Sequence, residues 1–477
     1  MDTRTISALG AHPATVVTAN TAQNSQGVLS VNPVSRSVLR DQLETACYLS
    51  DRAIKSGVLC DVEQIGLVWQ FVKARNVPYV IDPVFSATSG SEFSNAKIIE
   101  DFISELIPIC TLVTPNIAEA EQLTGLKIDS AEDVERAAQT LVGLGARNVL
   151  IKGGHLSGQD YSQDYFLGSE RQFWLSSPWV ETKNTRGTGC ALSSAIATAL
   201  AQGHRVEDAV VIGKMAINQG LRQSYALPSR QSADLADYGP VNITRFPEEQ
   251  IDLPVLSESA KVDLADSAFP RCDDVRPLSL YPCVDSADWI RRLASVGVTT
   301  IQLRNKTLGG EELEREIIQS IQFAESAGCR LFINDHWELA IENGAYGVHL
   351  GQEDLDLANV KAIKDAGLRL GISTHCHYEV ARAHAYKPSY IAVGPVYHTN
   401  TKQMPWVPHD LEGLSYWNRV LDYPVVGIGG IHQDRVAGVA ATGVSGVAMI
   451  TAITLADDPE LVTQQMIESI AQSQSVQ

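Results

Sequence analysis

Short apolar, β-branched runs alternate with amphipathic stretches of helical length from residue 15 to about 226, the rhythm of βα units around a mostly parallel sheet. The runs TVVTANTA (15–22), AIKSGVL (53–59), YVIDPV (79–84), TLVTPN (111–116) and NVLIKGG (148–154) predict strands. Helices are predicted over 37–50, 61–75, 96–107, 131–144, 190–202 and 206–224. From 246 to 275, prolines, acids and serines without a sustained period break the rhythm, and this segment reads as a linker. Beyond it come LSLYPCV (278–284), TTIQLRN (299–305), RLFIND (330–335), GVHLG (347–351), RLGIST (369–374), YIAVGPV (390–396), PVVGIGG (424–430) and GVAMIT (446–451). Eight such strands with helical or short crossovers, in about 200 residues, is the count for a (β/α)8 barrel. Arg304, Asp335, Ser373 and Thr451 end four of these runs, on the face where barrels carry their chemistry. No internal repeat links the two series. The pattern predicts an α/β chain of two unlike domains, 1–245 and 276–477, joined by 246–275.

Composition narrows the class of ligand. With 44% hydrophobic and 19% charged residues among 477, neither disorder nor a coiled coil is the main theme. Lys and Arg number 37 against 56 Asp and Glu, and the resulting charge of -19 repels phosphate backbones, which excludes nucleic acid as a partner. Small anionic substrates must then be held locally, by backbone amides, a few aimed cations, or a metal bridging them to carboxylates. Eight cysteines stand singly with no CxxC, which suits a reducing compartment. MDTRTISALG lacks a basic and apolar leader pattern, and no apolar run approaches the roughly 18 residues a membrane helix needs. A cytoplasmic chain without a membrane partner is expected, and homo-oligomerisation stays open.

In the first half, NTRGTGCALSSAIATAL (184–200) is the strongest local signal. Gly187, Thr188 and Gly189 lead straight into a helix, so unpaired amides converge there with the favourable end of the dipole behind them. Cys190 lies at the same helix start, where a thiolate is stabilised and its pKa lowered. Read alone, the string is equally a close-packing turn with an inert cysteine. Asp82 follows a strand end, and Asn116 and Glu119 share one helical turn after another, so two carboxylates can reach a Mg²⁺ that neutralises phosphate. Each alone is more often a helix cap or a solvated acid. KGGH (152–155) adds Lys152.

In that order, TAQNSQGV (21–28), IKSGVL, IDPVFSATSG, TPNIAEAE, KGGH and NTRGTGC resemble the hydroxymethylpyrimidine and phosphomethylpyrimidine kinase family of ribokinase-like α/β/α fold, over about residues 2–246. The resemblance implies Mg²⁺- and ATP-dependent phosphorylation of 4-amino-5-hydroxymethyl-2-methylpyrimidine, then of its monophosphate. By motif, Gln23 meets the pyrimidine, Gly187 to Gly189 form the anion hole, and Cys190 is the catalytic base. Asn116, Glu119, Lys152 and Thr188 serve the nucleotide, with Asp82 and Glu119 on the metal. Arg186 stands where the family usually has histidine, and Asp2 matches the aspartate closing the family's GGxGIQAD segment. The half is thus N-terminally truncated against its family. A start recorded downstream of the true one is expected over an impaired kinase, because losing a central strand exposes its neighbours' ladder groups.

In the second half, strand alternation puts Arg304 and Lys306 of QLRNK (302–306) on one side, suited to a diphosphate. FINDH (332–336) ends the third strand with Asn334 and Asp335, and GQEDL (351–355) brings Asp354 after the fourth. A lone acid at a barrel rim is usually a cap, whereas two from adjacent strands can share one Mg²⁺ on a diphosphate. GISTH (371–375) supplies Ser373, and HTNTKQMP (398–405) forms the loop after strand six. GIGGI (427–431) and MITAIT (449–454) follow strands seven and eight, where barrels commonly bind phosphate through backbone amides. A diphosphate site facing a monophosphate site suggests condensation of two phosphorylated halves.

These motifs resemble the thiamine-phosphate synthase family, a TIM barrel, over about residues 276–470. The resemblance implies that the pyrimidine diphosphate loses diphosphate and that the carbocation is captured by the ring nitrogen of a thiazole phosphate, carboxylated or not. Gln302, Arg304, Asn305, Lys306, Asn334 and Lys402 would bind the pyrimidine diphosphate, with Asp335 and Asp354 on Mg²⁺. Ser373 would stabilise the leaving group or the pyrimidine, acting in catalysis with Arg304 and Lys306. Thr399, Asn400, Thr401, Gly430, Ile450 and Thr451 would hold the thiazole phosphate. Such chemistry needs charge stabilisation and orientation more than a general base. A bifunctional enzyme of thiamine biosynthesis is expected, with small-molecule substrates. The alternatives are a synthase with a silent structural or dimerising first half, or a thiazole tautomerase barrel. A tautomerase has no diphosphate to hold, which the cations and acids above disfavour.

Overall fold

The computed structural model describes residues 1–475 apart from 25–26, 47–51, 87–92, 154–160, 228–238, 263–266, 273–276 and 399–407. It divides into two compact units, residues 1–247 with 251–263, and residues 248–250 with 264–477. Among the described residues no helix is long and apolar enough to cross a membrane.

The first unit has strands β1 (Ala19–Asn24), β2 (Gly27–Pro33), β3 (Ile54–Ser56), β4 (Tyr79–Ile81), β5 (Leu112–Val113), β6 (Val149–Lys152), β7 (Tyr161–Leu167), β8 (Gln172–Pro178) and β9 (Val255–Ser257). Seven of them form one sheet in the order β3-β4-β5-β6-β7-β8-β9. Pairing is parallel from β3 to β6 and antiparallel from β6 to β9. The short strands β4 and β5 are wholly apolar and buried, as a doubly covered parallel strand should be. Asp61 caps helix Val62–Lys73, and capping boxes open helices Ile117–Thr124 and Ala131–Gly143.

Four expectations change here. The predicted strand 15–22 becomes β1, which pairs antiparallel with β2 in a separate two-stranded ribbon. β2 begins three residues after β1 ends, too short a connection for a parallel crossover. The antiparallel strands β7 and β8 escaped the hydrophobic pattern because their buried positions include Gln163, Asp164, Ser176 and Ser177. The helix predicted over 96–107 is α-helical only to Asp101, then a π turn to Leu106 and a 3₁₀ turn containing Pro108, which cannot continue the ladder. The linker 246–275 supplies β9, the edge strand of the sheet. Just before it, fully buried Asp252 accepts Arg222 Nε at 2.9 Å and Nη2 at 2.8 Å. Residues 252–256 are thus packed into the unit around Asp252, Leu253 and Leu256.

The second unit contains β10 (Ser279–Val284), β11 (Thr300–Leu303), β12 (Arg330–Asn334), β13 (Gly347–Leu350), β14 (Arg369–Thr374), β15 (Tyr390–Val393), β16 (Val425–Ile428) and β17 (Gly446–Met449). These eight strands close into a barrel in sequence order, each pair parallel, as the apolar runs predict. Tyr281, Phe332 and Tyr390 fill its centre, with ring centroids 5.1 Å apart for Phe332–Tyr390 and 5.8 Å for Tyr281–Tyr390. A Cβ on Gly371 would sit 2.1 Å from the Tyr390 ring, so a small residue on β14 makes room for a large one on β15.

Candidate active sites

In the first unit three neighbouring parallel strands deliver their following residues to one place, as open α/β sheets do at their carboxyl ends. Asp82 follows β4, Asn116 follows β5, and Lys152 ends β6. Lys152 Nζ bonds Asp82 Oδ1 at 2.9 Å and stands 3.8 Å from Glu119 Oε2, while Ser193 Oγ donates to Asp82 Oδ2 at 3.3 Å. A Cβ on Gly189 would lie 3.2 Å from Lys152 Nζ, so the glycine turn opening helix Thr188–Ala201 abuts the same cluster. Gly187 takes φ 82°, the left-handed conformation glycine supplies cheaply.

Charge balance sets the protonation of this cluster. Burial pushes Asp82 up, yet the Lys152 and Lys55 ammoniums outweigh it and hold the carboxyl below its ordinary value. Lys55 also bonds Asp2 Oδ2 at 2.8 Å. Glu119 is raised to about 7 by burial, with Asp82 adding to the rise and Lys152 opposing it. The lowered thiol expected at Cys190 is overturned: burial and then the Asp82 carboxylate push it up to about 11, against the pull of Lys55 and Lys152. The helix start is outweighed there by desolvation and a facing anion.

Asn116 and Glu119 form a reciprocal capping box, with Asn116 N to Glu119 Oε2 at 2.8 Å and Glu119 N to Asn116 Oδ1 at 2.9 Å. Thr188 Oγ1 donates back to Thr185 O at 2.6 Å. Gln23 is exposed at the bulge of the β1–β2 ribbon. Asp82 and Glu119 are the oxygen pair available to a divalent cation here. A magnesium ion commonly takes one or two carboxylates and completes its shell with water and substrate phosphate, so the donor set fits it.

In the second unit, Arg304, Lys306, Asn334, Asp335, Asp354, Ser373, Gly430, Ile450 and Thr451 all line one cavity of about 560 Å³ at the carboxyl ends of the barrel strands. Lys306 and Asp335 are ion-paired. Asp335 adopts φ 63°, a conformation non-glycine residues rarely take, stabilised here by the bond from its N to His349 O at 3.0 Å. Burial raises the Asp354 carboxyl, and the neighbouring Asp335 raises it further. Two like charges held this close, beside a cation and open to a roomy cavity, are the hard-oxygen pair a Mg²⁺ would neutralise. Among the described residues no group of three or more His, Cys, Asp or Glu could hold a metal by itself, so substrate oxygens would complete any shell.

The pattern of the sequence missed three lining residues. His349 on β13 bonds Ser373 Oγ through Nε2 at 2.8 Å and Tyr390 OH through Nδ1 at 2.6 Å, and Tyr390 OH meets Tyr281 OH at 2.7 Å. Burial lowers this histidine to about 4, so the imidazole that orients Ser373 is neutral. Gln352 Nε2 donates to Ser373 O at 2.7 Å, fixing the serine from its backbone side. His375 accompanies them, its Nδ1 2.6 Å from Glu379 Oε2. A buried histidine on a strand reads as core, and only the contact across three strands gives it a partner.

Two expected contacts fall elsewhere. Asn305 turns its amide onto the backbone, donating to Asp285 O at 2.8 Å and accepting from Thr307 N at 3.0 Å and Leu308 N at 2.8 Å, so the loop consumes its polar atoms. Gln302 is buried on β11, facing Tyr281 inside the barrel. Thr399, Asn400, Thr401 and Lys402 lie outside the described residues.

Comparison with known proteins finds relatives for both halves of the chain. Residues 280–453 match the family model Thiamine monophosphate synthase. The thiamine-phosphate synthase of Yersinia pestis (strain Pestoides F) is 50% identical over 208 residues, 43% of this chain and 96% of the relative. This chain belongs to the thiamine-phosphate synthase family. A second member, from Serratia proteamaculans (strain 568), is 53% identical over 194 residues, 40% of this chain and 92% of the relative. Residues 1–233 match the family model Phosphomethylpyrimidine kinase. The solved phosphomethylpyrimidine kinase of Clostridium difficile 630 is 34% identical, with TM-score 0.40, covering 45% of this chain and 89% of that one. The chain therefore joins a region that matches the phosphomethylpyrimidine kinase model to a thiamine-phosphate synthase barrel, the two-domain arrangement of a thiamine-biosynthesis protein.

Proposed function

We propose that the barrel joins 4-amino-5-hydroxymethyl-2-methylpyrimidine diphosphate to a thiazole phosphate, carboxylated or plain, and that residues 1–245 make the diphosphate from the pyrimidine alcohol with ATP in two phosphorylations. Residues 276–477 suffice for the joining step. The carrying observation is one cavity lined both by Arg304, Lys306, Asp335 and Asp354, which follow β11 to β13, and by the turns at Gly430 and Thr451, which follow β16 and β17.

Arg304 and Lys306 hold the diphosphate and take up negative charge as the methylene carbon–oxygen bond breaks. Ser373, oriented by His349 and Gln352, offers its hydroxyl at a fixed place. The thiazole phosphate, gripped at its own end, presents its ring nitrogen to the pyrimidine carbocation, and the new carbon–nitrogen bond forms with the nitrogen lone pair, a carboxylated thiazole losing CO2 in addition. Orientation supplies much of the rate, since both partners are anchored by phosphates. When bound at Asp335 and Asp354, Mg²⁺ supplies charge neutralisation for the diphosphate. In the kinase, Lys152 and the Gly187–Gly189 turn support the transferring phosphate, and Asp82 and Glu119 support its metal. Cysteines standing singly and the anionic surface fit the cytoplasm.

Purified chain given preformed pyrimidine diphosphate, thiazole phosphate and Mg²⁺ should release thiamine phosphate and diphosphate in equal amounts. Absence of product under those conditions refutes the coupling reaction.

A further inference from the structure

The turn after β16 is held from behind as well as from the cavity side. Gly429 and Gly430 have φ of 101° and 66°, and both line the cavity with Ile431. A Cβ on Gly430 would lie 2.6 Å from the His398 carbonyl oxygen and 2.7 Å from that of Tyr397, so the backbone after β15 closes on this turn. Tyr397 N donates to Gly429 O at 3.0 Å. From the other side, Arg435 Nη1 donates to Gly430 O at 2.8 Å, and its guanidinium lies 4.4 Å from the centroid of the Tyr397 ring. A planar cation stacked on an aromatic face and bonded to a carbonyl has little freedom left.

A trans peptide points its C=O and the following N–H in opposite directions. Arg435 captures the Gly430 carbonyl without itself lining the cavity, so the N–H of Ile431 is turned the opposite way, toward the cavity that Gly430 and Ile431 line. Bare glycine backbone with an aimed amide is a donor set for a phosphate monoester, and a fixed guanidinium behind it adds favourable potential.

We propose that Arg435 is a positioning residue for the monophosphate of the thiazole substrate, locking the 430–431 peptide so that its N–H meets a phosphate oxygen, with Tyr397 as its backstop. The inference rests on the coupling reaction proposed above and deepens it. No contact of Arg435 with the pyrimidine diphosphate is involved, so the two substrates should respond differently to its loss.

The test is steady-state coupling with preformed pyrimidine diphosphate, varying each substrate in turn, for wild type, Arg435→Met and Arg435→Lys. Arg435→Met keeps the stem on Tyr397 and removes the fork; KM for thiazole phosphate should rise ~10-fold or more, while KM for the pyrimidine diphosphate stays within about twofold. Arg435→Lys keeps charge but not the planar fork and should recover part of the loss, which preserves the test if the methionine variant does not fold. Inorganic phosphate, as a competitor of thiazole phosphate, should weaken in parallel. Equal rises in both KM values, an unchanged thiazole phosphate KM in either variant, or unchanged competition by phosphate overturn the inference. A wild-type chain without coupling activity overturns the reaction instead.

Discussion

Cys190 shows how two opposing effects are decided by magnitude. A helix start favours a thiolate, but its pull is confined to the first turn and is modest beside the cost of desolvating an anion next to another anion. With the thiol at about 11, only ~10⁻³ of it is thiolate at pH 8, against roughly a quarter for an ordinary cysteine. In the unliganded protein, iodoacetamide should therefore label Cys190 slowly at pH 8, and labelling should accelerate as pH rises toward 11. Mass spectrometry of the Cys190 peptide across pH checks this, and fast labelling at pH 7 would contradict the raised thiol. As a base, Cys190 needs substrate or metal to change the local charge before it can accept a proton. In the barrel, by contrast, Ser373 needs no change of protonation, because the neutral His349 and the Gln352 amide hold it as it stands.

Elements divide sharply by how their burial is achieved. The eight barrel strands were legible because strands buried on both faces are largely apolar runs, four of them closed by a polar residue at the reactive rim. Strands β7 and β8 were not, because their interior positions include polar side chains that bond to other elements once folded. Gln163 Nε2 donates to Ser176 Oγ at 2.8 Å, and Lys214 Nζ bonds Asp164 Oδ2 at 2.8 Å. The same reason hid His349 and Gln352, whereas Arg304 and Lys306 followed from alternation along a single strand. The stretch before β9 is another such case, since Asp252 is tied to the kinase unit by Arg222 and by Asn218 Nδ2, which donates to Asp252 O at 2.8 Å. Asp252→Ala removes the buried carboxylate that accepts Arg222 Nε and Nη2, so the kinase unit should lose about 3 kcal/mol. Denaturant unfolding followed by kinase activity should shift to lower midpoint while barrel activity keeps its own. A coincident shift of both would mean that the segment supports the whole chain.

At the scale of the whole molecule the question is whether the diphosphate made by one unit must be handed to the other or travels free. The chain carries -19, so its surface repels a diphosphate except where aimed cations wait, at Lys152 and the glycine turn in one unit and at Arg304 and Lys306 in the other. A released intermediate is then expected in solvent, where any barrel it meets can capture it. Two variants separate the units. Lys152→Met removes the cation shared by Asp82 and Glu119 and should abolish phosphorylation, with coupling of preformed diphosphate reporting that its barrel is intact. Asp335→Ala should abolish coupling and leave phosphorylation. Neither variant alone should make thiamine phosphate from the pyrimidine alcohol, ATP, Mg²⁺ and thiazole phosphate. An equimolar mixture should restore product after a lag that shortens as total protein is raised, because the diphosphate must accumulate in solution before a competent barrel meets it. If each variant keeps its own partial reaction while the mixture stays silent, the intermediate passes within one chain, and free diffusion is excluded.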